Sequence, residues 1–348
     1  MGLSNLQEFS LYCFMLTRVF ILVFSLCFIP SWGQNSVINP ETGIPYEETE
    51  FPLILPDSLD LFGDDTPLKI QLTSDFKAFV KNKYDDEYQP AELNFFVNDS
   101  VSIRHDIRIK PRGNFRKRHC QFPPIRLNFK KTDFVLPRAH QFEKIKMVTD
   151  CKRTDIYEQY VLKEYLIYKI YNYFSPLSFR VRLLDVTYVN TGKDNDENTT
   201  FAFVIEELDD LASRTECLAI DKEDYNQSQL KSKHMLTVAL FQYMISNVDW
   251  SVPGQHNLKI LKSTDIHQPI PYVIPYDFDY SGFVNTYYAV PKEQLGLKSV
   301  QDRYFEGLCY EEATIQEALQ QFMDNKQNIY DLLNEFPYLD KNSRKDLL

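Results

Sequence analysis

The sequence predicts an α+β fold, with a mainly antiparallel sheet in its N-terminal half and a more helical C-terminal half. Three observations predict it. Strand-like segments that alternate apolar with polar residues come in series before Asp150. Apolar residues recur at helical spacing over 154–174, and a second helix at 231–248 is apolar around most of its circumference, which marks it as central. Hydrophobic residues make up 44% of the 348, enough to bury the core of one large domain or of two lobes. With 22 Tyr and 26 Phe against only 10 Gly, the composition is that of a packed globular chain. A formal net charge of -11 argues against general nucleic-acid binding, because a phosphate backbone demands a basic face.

Residues 1–33 read as a secretory signal peptide. Arg18 precedes the apolar run 19–29, and Pro30 with Ser31-Trp32-Gly33 forms a cleavage pattern before Gln34. The run is shorter than the roughly 18 apolar residues of a membrane-spanning helix. The mature chain is therefore expected to be exported, to a periplasmic, cell-surface or secreted location, with no stable membrane span. Outside the leader, Cys120, Cys151, Cys217 and Cys309 allow two disulfides in three connectivities. Cys120 with Cys151, which bracket a strand pair, is the preferred bridge, and buried free thiols are the alternative. No cysteine pair has the short spacing of a zinc or redox centre.

Residues 34–66, with Pro40, Pro45, Pro52 and Pro56, read as an extended segment that packs onto a domain without forming an element of its own. Strands are predicted at 68–72, 91–97, 101–109, 124–129 and 144–148, with Asn98-Asp99-Ser100 as a hairpin turn. The helix at 154–174 begins near Thr154, a residue type suited to an N-cap. Two more strands, 180–188 and 201–205, return to the sheet around an exposed polar loop at 191–200. Beyond the buried helix come a strand at 257–261 and the apolar stretch 271–276, which runs straight into Asp277-Phe278-Asp279 before Ser281-Gly282. On an alternating strand Phe278 would face the core and both aspartates the opposite way. Closing helices fill 312–336.

The chemistry concentrates at these element ends. Asp249 follows the buried helix, where a carboxylate meets the unfavourable negative end of the helix dipole. Asp249, Asn257, Asp277 and Asp279 all fall at the ends of apolar elements, where a sheet presents them along one edge. Hard cations such as magnesium take carboxylate and amide oxygens alongside substrate phosphates. A base, a metal-binding amide and a metal-binding carboxylate are what phosphoryl transfer requires, since positioning and charge neutralisation supply most of its catalysis. The signatures of common hydrolases, GxSxG and HExxH, are absent from the sequence. His256 reads as a hydrogen-bonded structural histidine, and the basic stretch 110–119 either grips phosphate or forms a solvated turn.

Four ordered motifs carry a resemblance: Arg112-Gly113-Asn114, Ile205-Glu206-Glu207, Asn247-Val248-Asp249-Trp250 with Asn257, and Pro275-Tyr276-Asp277-Phe278-Asp279-Tyr280-Ser281-Gly282. Together they resemble the spore coat protein H (CotH) kinase-like family, atypical relatives of protein kinases. The resemblance implies a two-lobed protein-kinase-like fold, with an N-lobe at 67–207 and a C-lobe at 208–348. It also implies an exported kinase that uses ATP with Mg or Mn to phosphorylate a hydroxyl on a protein or other acceptor. Arg112, Gly113 and Asn114 would cover the nucleotide phosphates. Lys146 would pair with them, with Arg126 and Lys144 as competitors for that role, and Glu164 would be its ion-pair partner. Glu206, with Glu207 beside it, would sit where the lobes join and adenine binds, Asp249 would be the catalytic residue, and Asp277, Asn257 and Asp279 would hold the metal. The chain departs from the family in two ways. Asp249 and Asn257 are eight positions apart, wider than the family's spacing, and the phosphate turn has one glycine. Both departures favour the alternative, a non-catalytic kinase-like envelope or surface binding protein.

Overall fold

The computed structural model describes residues 61–96, 102–129, 143–221 and 224–348. The leader, most of the extended segment and the turn at 98–100 lie outside the described residues. The chain opens with β1 (Leu68–Ser74), α1 (Phe76–Lys81), β2 (Gln89–Phe96), β3 (Ser102–Pro111) and α2 (Asn114–His119). It continues with β4 (Ile125–Phe129), β5 (Lys144–Val148), α3 (Asp155–Asn172), β6 (Val181–Asn190) and β7 (Asp196–Ile205). Then come α4 (Leu208–Arg214), β8 (Cys217–Ile220), α5 (Ser232–Met244), β9 (Leu258–Ser263), β10 (Tyr272–Pro275), α6 (Glu312–Glu335) and α7 (Lys341–Leu347).

The first seven strands close into a barrel in the order β1-β2-β3-β4-β5-β7-β6, and β8, β9 and β10 form a separate antiparallel sheet with β9 in the middle. Six of the barrel's pairs are antiparallel, as predicted. The seventh, β1 with β6, is parallel, from Leu68 opposite Leu184 to Ser74 opposite Asn190. This overturns the expected two-lobed protein-kinase-like fold: the mainly antiparallel N-terminal sheet is closed into a barrel by one parallel pair. Period-two alternation fixes which face of β1 is buried but carries no information about what pairs with its second edge. Closure removes both free edges, and the apolar residues on the inward faces of all seven strands fill the interior.

That filling is legible in the burial. Ile70, Leu72, Leu93, Ile109, Ile125, Met147, Val186 and Ala202 belong to one buried cluster that draws on every barrel strand. Phe76, Phe79, Phe122 and Tyr188 join it and stack edge-to-face on one another. A second cluster takes the opposite faces of β6 and β7, through Val181, Leu183 and Phe203, and joins them to α3, α5 and the small sheet. The start of β6 and the end of β7 are thus covered on both faces, which explains the unbroken apolar run Phe201–Ile205. Helix α3 lies at the centre of this second cluster, with Leu162, Leu166, Ile167 and Ile170 fully buried. Each such side chain contributes roughly 1.5–3 kcal/mol of burial. Cys120 and Cys151 are joined in a disulfide, with Cα atoms 4.6 Å apart. Among the described residues, no helix is long and apolar enough to cross a membrane.

Candidate functional site

The same end of the barrel collects the end of β3, the start of β4, the end of β5 and the end of β7, as the registers Pro111 to Ile125, Ile125 to Met147 and Lys146 to Ile205 require. Between that end and the segment beyond β10 lies a cleft of about 330 Å³. Arg112, Gly113, Asn114, Lys146, Glu164, Asp249, Asn257, Asp277 and Asp279 all line it. Glu206 does not.

Asp249 is delivered by a tightly bonded turn. After α5, Ser246 takes a left-handed conformation (φ 53°), and the buried Asn247 accepts the Asp249 N–H through Oδ1 at 3.0 Å. The Gly282 and Phe283 N–H groups donate to the Ser246 and Ile245 carbonyls, tying this turn to the segment beyond β10. Asn257 Nδ2 donates both to the Asp249 carbonyl at 2.7 Å and to Oδ2 at 2.9 Å. Its side-chain carbonyl oxygen makes no hydrogen bond among the described residues, which leaves it available to a cation. Asp249 is partly exposed, so a hydroxyl can approach its carboxylate.

The strand leading to Asp277 stops early. β10 ends at Pro275, and Asp277 turns the chain with φ 63°, its N–H donating to the Tyr168 hydroxyl at 2.9 Å. Asp277 and Asp279 therefore do not alternate along a strand, as the sequence suggested; a left-handed residue reaims the chain instead. An aspartate adopts this conformation at modest cost because its short side chain is tolerated there. Phe278 is still buried, packed between Tyr168 and Phe241 with ring centroids 4.9 and 6.0 Å away. The Asp277 carboxylate takes no hydrogen bond or ion pair among the described residues. Burial raises its proton affinity first and the charge of Asp279 second, while Arg116 and Arg112 oppose both. Asp279 is more committed: its Oδ2 accepts from Arg116 Nε at 2.9 Å and from the Tyr288 hydroxyl at 2.8 Å.

The cations divide into free and held. The Arg112 guanidinium has no hydrogen bond or ion pair among the described residues. Lys146 lies 3.4 Å from Glu207 Oε2, and burial lowers its pKa ahead of every other influence. Arg126, its neighbour across β4 and β5, grips Glu207 with both arms of its fork at 2.9 and 3.2 Å. Of Lys146, Arg126 and Lys144, only Lys146 lines the cleft. The expected pair between Lys146 and Glu164 is not formed. Glu164 is bonded instead to Arg116, whose Nη2 lies 2.6 Å from Oε2, because α2 places that arginine over α3. Glu206 is fully buried, with its carboxylate held by Arg180 at 2.9 Å and by Arg214 at 2.8 and 2.9 Å. It braces the end of β7, and Glu207 is the acid that faces the cations.

Arg116 and Tyr168 line the cleft although the motifs did not single them out. Arg116 sat in the basic stretch with several equivalent cations around it, and Tyr168 was one of many tyrosines on a core helix. Val148, Phe179, Ile205 and Tyr276 supply the apolar wall. Among the described residues, no group of three or more His, Cys, Asp or Glu is arranged to hold a metal on its own. No protein-family model and no curated protein matches the chain.

Proposed function

We propose that the cleft binds ATP together with Mg or Mn and transfers its γ-phosphate to a hydroxyl on an exported protein or other acceptor. The observation that carries this reading is the pairing, within one cleft, of a free carboxylate at Asp277 with a free guanidinium at Arg112, opposite an oriented Asp249. A carboxylate and a guanidinium that share a cleft and sense each other's charge without a direct ion pair or hydrogen bond fit a ligand that brings both charges, such as a metal-bound polyphosphate. Magnesium needs only one or two protein carboxylates when phosphates complete its shell, so Asp277 with the Asn257 carbonyl oxygen fits that donor set. When bound, the nucleotide and its metal would supply the transferable phosphoryl group and neutralise its charge.

The residues of this chain then divide the work. Arg112 and Lys146 attract and orient phosphate oxygens, Lys146 exchanging its long contact with Glu207 for them. Val148, Phe179, Ile205 and Tyr276 offer an apolar surface to a planar base. Asp249 accepts the proton of the acceptor hydroxyl, its carboxylate fixed by Asn257. The site-level resemblance to the CotH kinase-like family supports this assignment of residues. The Cys120–Cys151 disulfide supports export, because such bonds persist in oxidising compartments.

One observation favours the second reading, a binding protein without catalysis: Asp279 is taken up by Arg116 and Tyr288, so a second metal-binding carboxylate is not free. Labelled ATP with Mg or Mn, given to the wild type and to Asp249→Ala and Asp277→Ala, separates the two. Metal-dependent binding and transfer by the wild type, with transfer lost in both variants, is the expected result. Binding without transfer to itself or to co-exported proteins selects the binding protein, and no nucleotide binding at all overturns the proposal.

A further inference from the structure

The wide spacing between Asp249 and Asn257 is filled by a small closed hairpin. Ser251 and His256 exchange both backbone hydrogen bonds, at 3.1 and 3.0 Å, and the Gln255 N–H donates to the Val252 carbonyl at 3.0 Å. Gly254 and Gln255 make the reversal with φ of 75° and 49°. Trp250, Val252 and Leu258 are buried around it, so the hairpin is anchored at its base. The closing residue, His256, puts its Nε2 2.9 Å from Asp249 Oδ1.

We infer that His256 is a positioning residue for Asp249, so that the proton acceptor is a carboxylate held on both oxygens. This rests on the phosphoryl-transfer reading of the cleft. An ionised carboxylate only accepts hydrogen bonds, so the hydrogen between the two groups belongs to Nε2. His256 then holds Oδ1 while Asn257 holds Oδ2 at 2.9 Å, and the two donors together stop the carboxylate rotating about its terminal torsion. Each oxygen keeps a further lone pair for the acceptor hydroxyl. The extra residues of the loop thereby do what a shorter loop cannot: they bring a second donor back to the base. The imidazole lines the rim of the cleft and is 58% exposed, so its removal chiefly subtracts the hydrogen bond to Asp249.

The test compares His256→Ala and His256→Gln with the wild type, reading kcat and KM for ATP in the presence of Mg. A misaimed base lowers kcat with nucleotide binding intact, and small misplacements of this kind cost up to about 10²-fold. His256→Ala is expected to lower kcat by about 10- to 100-fold at unchanged KM. His256→Gln, whose amide N–H reaches a similar position to Nε2–H, is expected to recover most of the loss. An unchanged kcat in His256→Ala, a glutamine no better than alanine, or a change confined to KM overturns the assignment while leaving the cleft's function standing. Absence of transfer by the wild type overturns the function and this assignment together.

Discussion

Arg116 Nη2 lies 2.6 Å from Glu164 Oε2, and the same guanidinium donates through Nε to Asp279, so one arginine joins α2, α3 and the segment beyond β10. All three side chains are at most 12% exposed. Removing one partner of a buried pair strands the other's charge, which costs about 3–5 kcal/mol. Arg116→Ala, which strands two acids, is expected to fall in or above that range by urea unfolding. Glu164→Gln should cost less, because burial already raises the proton affinity of Glu164 and an amide oxygen still accepts from the arginine. A loss under about 1 kcal/mol for Arg116→Ala would mean that water replaces the guanidinium without penalty.

The division of cations into free and held predicts a split between binding and stability. Arg112→Met and Lys146→Met are each expected to weaken Mg-dependent ATP binding at least tenfold, about 1.4 kcal/mol, in isothermal titration. Arg112→Met should move the unfolding midpoint less than Arg126→Met, since the guanidinium makes no hydrogen bond or ion pair among the described residues and acts on Asp277 only through space. Arg126→Met should lower the midpoint and spare binding, because its fork is spent on Glu207. Should Arg126→Met weaken binding more than Lys146→Met, the phosphate-pairing role would pass to Arg126.

Much of this was legible in the sequence, and the gaps have physical causes. The predicted strand at 144–148 matches β5, and the helix at 154–174 is α3 to within two residues at each end. β7 starts earlier than predicted, at Asp196, because its polar first half pairs in a hairpin with the end of β6, where outward residues meet solvent. The short helices α1, α2, α4 and α7 and the four-residue β8 have no counterpart in the sequence reading; elements this short carry too little periodicity to register. Closure of the barrel by β1 and β6 joins strands far apart in sequence, and nothing local records such a pairing. At the site, residue types and order picked out Glu164, Asp249, Asp277 and Asp279, which share one cleft, and Glu206, which lies outside it, but not their partners. The choice of Arg116 over Lys146 for Glu164 depends on where α2 lands, a tertiary fact.

Asp150 sets a pH dependence. It is buried next to the disulfide, and burial, helped by Glu158 and opposed by Arg153, raises its pKa from 3.8 to about 7. Between those values the native state keeps a proton that the unfolded chain has released. The stabilising contribution is therefore complete below the unfolded value and is lost as pH rises through the folded one. Asp150→Asn, of the same shape without the charge, is expected to be more stable than the wild type at pH 8 by about 1–3 kcal/mol, with the advantage vanishing near pH 4. Thermal unfolding across that range checks it. An advantage independent of pH would show that Asp150 does not titrate there.

Gly282 fixes how closely the acidic segment approaches the turn that carries Asp249. Its N–H donates to the Ser246 carbonyl at 2.9 Å, and a Cβ at this position would lie 2.4 Å from the Val300 carbonyl oxygen and 2.7 Å from Gln301 Cα. Both obstacles are backbone, so neither can swing aside as a side chain would. Gly282→Ala is expected to destabilise by about 1–3 kcal/mol or more, and to lower phosphoryl transfer as well, because the displaced backbone moves Ser246 and with it Asp249. Gly296→Ala is the control: it has open space and a left-handed backbone (φ 73°), so it should carry only about 1–2 kcal/mol of local strain with transfer unchanged. Equal losses of stability with activity intact in both variants would mean that the approach at Gly282 relaxes freely and does not hold Asp249 in place.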